Sequence, residues 1–155
     1  MKVIWIIAAG LALLVASQVG NGNGSTARAD GGGTARTTVV ANPLTVTLSL
    51  STHSIQRGRN FTARARVSNL GSGRLAGVVA TLRLTPTAIR IRGAATRQIG
   101  TIRGNGANTL AWDLCGLTPG NYIAMVIVTA SGVGGSFSAE SAAELVTIRD
   151  GRSRC

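Results

Sequence analysis

The chain has 155 residues, of which 45% are hydrophobic and 3% aromatic, and its formal net charge is +11 at pH 7. This length suits one domain with a buried core, and the many Gly, Val, Thr, Ala and Ser residues favour short strands and turns over helices. A single histidine and two cysteines without a C-x-x-C pair exclude a zinc site made of Cys and His side chains.

The positive charge comes almost entirely from arginine, because Lys2 is the sole lysine and the chain has five acidic residues. A charge of this size suits anionic partners, such as an acidic polysaccharide, phospholipid headgroups or an acidic protein. An arginine bias with much Ala and Gly equally reflects genome base composition, so the origin of the excess stays open.

Residues 1–17 place one lysine before a run of apolar residues and then small residues. This pattern predicts a secretory signal peptide cut after Ser17, or alternatively an uncleaved membrane anchor at the short end of the usual span length. Under either interpretation the rest of the chain lies outside the cytoplasm, secreted, periplasmic or at the cell surface.

Residues 18–42 are rich in Gly, Ser, Thr, Ala and Asn and lack a hydrophobic period until Val39. They are predicted to form a flexible linker that tethers the domain. The strand propensity of residues 37–40 leaves open a second interpretation, a strand donated to a neighbouring molecule.

From Pro43 onward the pattern is all-β. Apolar and polar residues alternate in successive short segments separated by turn signals every 8–12 residues. The predicted strands lie near 43–51, 61–69, 77–86, 88–93, 108–115, 122–130 and 137–148, and 97–106 is predicted to be a short strand that runs into a turn. This spacing predicts a single immunoglobulin-like antiparallel β-sandwich of about seven strands with Greek-key connections over 43–149, followed by a tail at 150–155.

Two segments carry a family resemblance. NFTARARVSNLGSG (60–73) resembles the strand and loop "v-x-v-x-N-x-G" of the CARDB and NEW3-type extracellular modules. The stretch 97–132 resembles their later half, in which an "L-x-P-G-x-Y" turn precedes an alternating strand. The resemblance covers about residues 43–149 and implies a non-catalytic sandwich used for adhesion, spacing or docking.

Within that later half, Pro119, Gly120 and Tyr122 follow Leu117 in the pattern of a tyrosine corner. In such a corner the Tyr hydroxyl bonds back to the chain a few residues upstream. Trp112 shares the parity of Leu110 and Leu114 and is predicted to be the core aromatic between the two sheets.

Cys115 and Cys155 are the two cysteines of a chain predicted to be exported, so they are candidates for a disulfide. In an immunoglobulin-like fold both would lie at the same pole, and the tail after Ile148 is long enough for the reach. The alternative is an intermolecular bond through Cys155.

No catalytic constellation emerges from the sequence. His53 and Asp113 are the residues that a Ser/His/Asp site would need, but nothing places a nucleophile beside them. We therefore predict no enzyme activity, no catalytic residues, no cofactor and no metal. Nucleic-acid binding is not expected either, because exposed aromatics for base stacking are too few.

The stretch LTPGNYIAMVIVTASG (117–132) is apolar on both parities, whereas a strand with one exposed face should alternate. If Tyr122, Ala124, Val126 and Val128 face the core, the other parity forms an apolar stripe on the outside of the sheet. The strands expected beside it would add Val79, Thr81 and arginines. The predicted docking residues are Val79, Arg83, Arg90, Arg92, Ile123, Met125 and Ile127. Cover by the linker or the tail is the alternative.

These observations favour a non-catalytic exported module, an accessory subunit of a surface or membrane-associated assembly, either a complex or a filament, that docks a protein or a second copy of itself. The alternative function is a stand-alone adhesion module for an anionic surface polysaccharide or another anionic polymer. Binding that weakens strongly as the salt concentration rises would indicate that alternative.

Overall fold

The structure, a computed structural model, describes residues 41–84, 88–152 and 155. The predicted signal peptide and residues 18–40 of the predicted linker lie outside the described residues. Ten strands are formed: β1 Leu44–Leu50, β2 Ser54–Gln56, β3 Asn60–Asn69, β4 Leu75–Leu84, β5 Ile89–Arg92, β6 Thr96–Ile102, β7 Ala107–Gly116, β8 Gly120–Gly132, β9 Gly135–Glu140 and β10 Glu144–Arg149.

The strands form two facing sheets. The four-stranded sheet has the order β1-β3-β7-β5, and the six-stranded sheet has the order β2-β10-β8-β4-β6, with β9 also on β8. Neighbours are antiparallel except for β2, which runs parallel to β10. The predicted all-β immunoglobulin-like sandwich is therefore confirmed.

The core lies between the sheets and follows the alternation of the sequence. In β3, for example, Phe61, Ala63, Ala65 and Val67 are buried, whereas Arg64 and Arg66 are exposed. Trp112 is completely buried at the centre of the core. Its indole N–H donates to the carbonyl of Ala95 at 3.0 Å, and the amide of Leu82 donates to the same carbonyl at 3.0 Å. One carbonyl oxygen thus links β7 of one sheet to β4 of the other.

The segment 137–148, predicted as one last strand, is interrupted. Both β9 and β10 pair with β8, but residues 141–143 bulge between them. Ser141 fills the gap: its hydroxyl accepts the amide hydrogen of Val126 at 2.9 Å, and its own amide donates to the Val126 carbonyl. The bulge shifts the parity of the strand, so Phe137 and Ala139 face inward before it and Val146 and Ile148 after it.

Asn69 organises the loops at one pole of the sandwich. Its side chain is buried, and its Oδ1 accepts the amide hydrogen of Gly71 at 3.0 Å. Its Nδ2 donates to the carbonyls of Gly73 at 2.7 Å and Arg103 at 3.1 Å. The asparagine of the "N-x-G" motif therefore joins the β3–β4 loop to the β6–β7 loop.

Candidate functional site

The outer face of the six-stranded sheet carries the predicted apolar residues of β8. Tyr122, Ala124, Val126 and Val128 are buried in the core, and Ile123, Met125 and Ile127 point the other way. Ile123 is 42% exposed. The strand is therefore apolar at both odd and even positions for two reasons. The even-numbered side chains fill the core, and the odd-numbered ones lie on an outer sheet face that nothing in the described part of the chain buries completely.

Neighbouring strands widen this apolar surface. Leu145 of β10 pairs with Ile123 and is 54% exposed. On the opposite side of β8, Thr81 of β4 pairs with Ile127, and Val79 comes one outward row later. We call Val79, Ile123, Met125, Ile127 and Leu145 the apolar stripe. Leu145 could not be recognised from the sequence, because its outward position depends on the parity shift at the bulge.

Two opposite charges border the apolar stripe. Arg83 of β4 pairs with Met125 on one side of β8, and Glu140 of β9 pairs with Ile127 on the other. Both side chains are exposed, and neither forms an ion pair with another described residue. The border thus places a cation and an anion on opposite sides of the stripe, one outward row apart.

The prediction that Arg90 and Arg92 lie beside this stripe is wrong. Their strand, β5, pairs with β7 in the four-stranded sheet, and the position beside β4 is taken by β6. Ile89 and Ile91 bury one face of β5 equally well at the edge of either sheet, so the local alternation does not reveal which sheet the strand joins. Both arginines are exposed on the opposite side of the sandwich.

The turn before β8 has the geometry of a tyrosine corner. The hydroxyl of Tyr122 donates to the carbonyl of Pro119 at 3.0 Å. Gly120 lies beneath the ring with φ +147°, and a Cβ built on it would come within 2.7 Å of the Tyr122 hydroxyl. A glycine is required here because the positive φ disfavours other residues and because the Tyr122 ring leaves no room for a Cβ.

Cys115 and Cys155 form an intrachain disulfide with a Cα–Cα distance of 6.2 Å, as predicted. Cys115 lies at an outward-facing position of β7 but is fully buried, and Cys155 is bonded to it at this end of the four-stranded sheet. Arg90, the register partner of Cys115, donates from Nη1 to the carbonyl of Cys155 at 3.3 Å.

The structure does not bring His53 and Asp113 together. His53 precedes β2 and its Nε2 lies 2.9 Å from Oε2 of Glu144, whereas Asp113 lies on the exposed side of β7 in the other sheet. Among the described residues, no three His, Cys, Asp or Glu side chains are grouped as metal ligands. The same part of the chain contains no helix long and apolar enough to cross a membrane.

Comparison with known proteins addresses the fold. No protein family matches the chain, and no curated protein matches it. Among solved structures, it is similar to the CARDB domain of a Pyrococcus furiosus protein, crystallised in complex with di-metal ions. The identity is 13% and the TM-score 0.53, covering 70% of this chain and 89% of that one. The chain has the fold of a CARDB domain.

Two further solved structures are similar to the chain at lower TM-scores. One is a cohesin module from a Clostridium perfringens family 33 glycoside hydrolase, with 9% identity, a TM-score of 0.48 and coverage of 72% of this chain and 100% of the module. The other is a PapD-like domain of human CEP192, with 11% identity, a TM-score of 0.40 and coverage of 82% and 100%. The similarity to the Pyrococcus furiosus domain confirms, at the level of the fold, the resemblance to CARDB modules noted in the sequence.

Proposed function

We propose that this protein is an exported, non-catalytic interaction module, a subunit of a surface or membrane-associated assembly, whose six-stranded sheet docks onto a second copy of the chain. The observation that carries the proposal is the apolar stripe with a cation on one side and an anion on the other. An apolar centre with a charged border is how many protein interfaces are composed. The disulfide supports a location outside the cytoplasm.

A second copy fits the border charges. If two copies stack face to face about a two-fold axis along β8, strand β4 of each lies over β9 of the other. Arg83 of one copy then faces Glu140 of the other, about 7 Å apart along the strands, within reach of these long side chains. The same operation places the apolar stripe of one copy on that of the other.

The size of the surface predicts a weak interface. Four strands at about 4.8 Å spacing, over the roughly 27 Å from residue 121 to residue 129, give roughly 500 Å² a copy. About 1,000 Å² in total is the lower limit for a specific interface. We therefore expect a dissociation constant of about a micromolar or weaker, which a shared membrane or a filament would strengthen by raising the effective concentration.

The first measurement is the size of the native particle after gentle extraction with detergent. A regular homopolymer or dimer supports the proposal. A particle that is monomeric over the whole concentration range, or that contains the chain only beside a different protein, overturns self-docking.

Substitutions then locate the interface by sedimentation of the full-length protein in mild detergent. Ile123→Arg is expected to abolish self-association, because it buries an unpaired charge in the interface. Val133→Arg is the matched control, since Val133 is 90% exposed in the β8–β9 loop and lies away from the stripe. Arg83→Glu and Glu140→Arg should each weaken association, and the double variant should restore it. Equal association of Ile123→Arg and the control would exclude the apolar stripe.

A further inference from the structure

The outer face of the four-stranded sheet is chemically the opposite of the apolar stripe. Its outward positions on the four strands are polar or small, and they include four exposed arginines. We call Arg64 and Arg66 of β3 and Arg90 and Arg92 of β5 the arginine stripe. The corresponding positions of β1 and β7 carry Thr45, Thr47, Ser49, Thr109, Ala111 and Asp113.

Register shows that these arginines form a line. Arg90 is level with Cys115 of β7 and Arg92 with Asp113, whereas Arg64 is level with Ala111 and Arg66 with Thr109. The four side chains therefore occupy four successive outward rows, about 7 Å apart, and the line crosses β7 diagonally over roughly 22 Å. A linear array of cations suits an extended polyanion that contacts several rows at once.

The arginines are available for such a ligand. No described carboxylate forms an ion pair with any of the four, and Arg90 donates only from Nη1 to the Cys155 carbonyl. The guanidinium group presents a planar fork of donors that matches a carboxylate, and each such pair adds orientation as well as charge.

A shallow depression beside Arg92, toward the Arg90 end of the line, indicates the kind of polyanion. It has a volume of about 330 Å³ and is lined by Ser51, Asn60, Phe61, Thr62, Arg92 and Asp113. Hydroxyl, amide and carboxylate side chains around one arginine suit a sugar ring that bears both hydroxyls and a carboxylate. Asp113 would repel a chain recognised through its charge alone, but it accepts hydrogen bonds from sugar hydroxyls.

We propose that the arginine stripe and this depression bind an acidic polysaccharide, one whose sugar units carry carboxylates. The sugar ring occupies the depression with a hydroxyl donating to Asp113. Its carboxylate accepts from Arg92, and neighbouring units contact the arginines of the adjoining rows. This surface lies on the sheet opposite the apolar stripe, so the inference is independent of the proposed self-docking.

Binding of polygalacturonate oligosaccharides to the full-length protein in mild detergent tests this proposal. Arg64→Gln/Arg66→Gln/Arg92→Gln is expected to raise Kd about tenfold, since each lost exposed ion pair contributes on the order of 0.5 kcal/mol. The matched control, Arg74→Gln/Arg103→Gln/Arg149→Gln, removes three exposed charges elsewhere and should change Kd less than about threefold. Equal losses in the two triple variants would overturn the proposal.

Asp113→Ala separates recognition of a sugar from attraction by charge. It makes the protein more positive, so a polyanion held by charge alone binds more tightly. A sugar that donates to Asp113 binds more weakly, and we expect Kd for polygalacturonate to rise several-fold. A fall in Kd, or tighter binding of a single-stranded oligonucleotide than of polygalacturonate, would assign the stripe to another polyanion and overturn the proposal.

Discussion

Asn69 offers the sharpest test of how the loops at its pole are held. Its buried side chain makes three short hydrogen bonds to main-chain groups of two loops, at 2.7, 3.0 and 3.1 Å, and a longer one of 3.4 Å to the carbonyl of Ile102. Each short bond contributes on the order of 1 kcal/mol net, so Asn69→Ala is expected to lower the free energy of unfolding by about 3 kcal/mol. In a domain of this size that corresponds to a fall in Tm of roughly 12 °C or more.

Chemical and thermal unfolding of the full-length protein, followed by circular dichroism, measure this effect. Asn108→Ala is the matched control, because Asn108 lies on the neighbouring strand with its side chain exposed, and it should change stability by less than about 0.5 kcal/mol. Asn69→Asp should destabilise at least as much as Asn69→Ala, since it turns an oxygen toward two carbonyls. If Asn69→Ala has the same free energy of unfolding as Asn108→Ala, the Asn69 side chain does not hold the two loops together.

Three further predictions concern the core and the covalent link. Replacing Cys115 and Cys155 together by alanine should cost about 4 kcal/mol, because the bond closes a loop of 40 residues; denaturation of the reduced wild type should agree, and an unchanged midpoint would contradict the estimate. Gly120→Ala should cost about 2 kcal/mol from backbone strain and contact with the Tyr122 hydroxyl. In the Tyr122→Phe background the loss should be smaller, and strictly additive losses in a double-mutant cycle would show that ring and glycine do not interact. Trp112→Phe should cost about 2 kcal/mol through lost volume and the lost bond to Ala95, and near-wild-type thermal stability would refute that role.

Much of the fold could be predicted from the sequence because burial imposes a period of two on each strand. The inward residues of β3 were predicted from alternation. Those of β8, which is apolar at both odd and even positions, were assigned by placing the strand of Tyr122 at the centre of the expected sandwich. The expected fold placed Cys115 and Cys155 at one pole and so favoured their pairing, but the sequence left an intermolecular bond through Cys155 open.

Strand partnership could not be predicted in the same way. Alternation shows which side chains of β5 face inward, but it does not show which sheet the strand joins, because the inner faces of both sheets are apolar. Arg90 and Arg92 lie on the four-stranded sheet because β6 occupies the edge beside β4. Leu145 was missed because the strand is interrupted at Ser141, whose hydroxyl accepts the Val126 amide hydrogen in place of a main-chain carbonyl. The residue pattern does not reveal this contact. The line of arginines could be recognised only from the register of β3, β5 and β7 together.

The bond between Cys115 and Cys155 also determines how the domain carries mechanical load. A pull applied at Cys155 passes through the bond directly into β7, so β8, β9 and β10, which lie within the covalent loop between the two cysteines, carry no tension. A pull applied at Ala41 enters β1, whose seven register pairs with β3 resist it together in shear. The six-stranded sheet therefore stays off the load path until β1 shears away from β3, and a surface presented by β8 keeps its shape while the chain is under force.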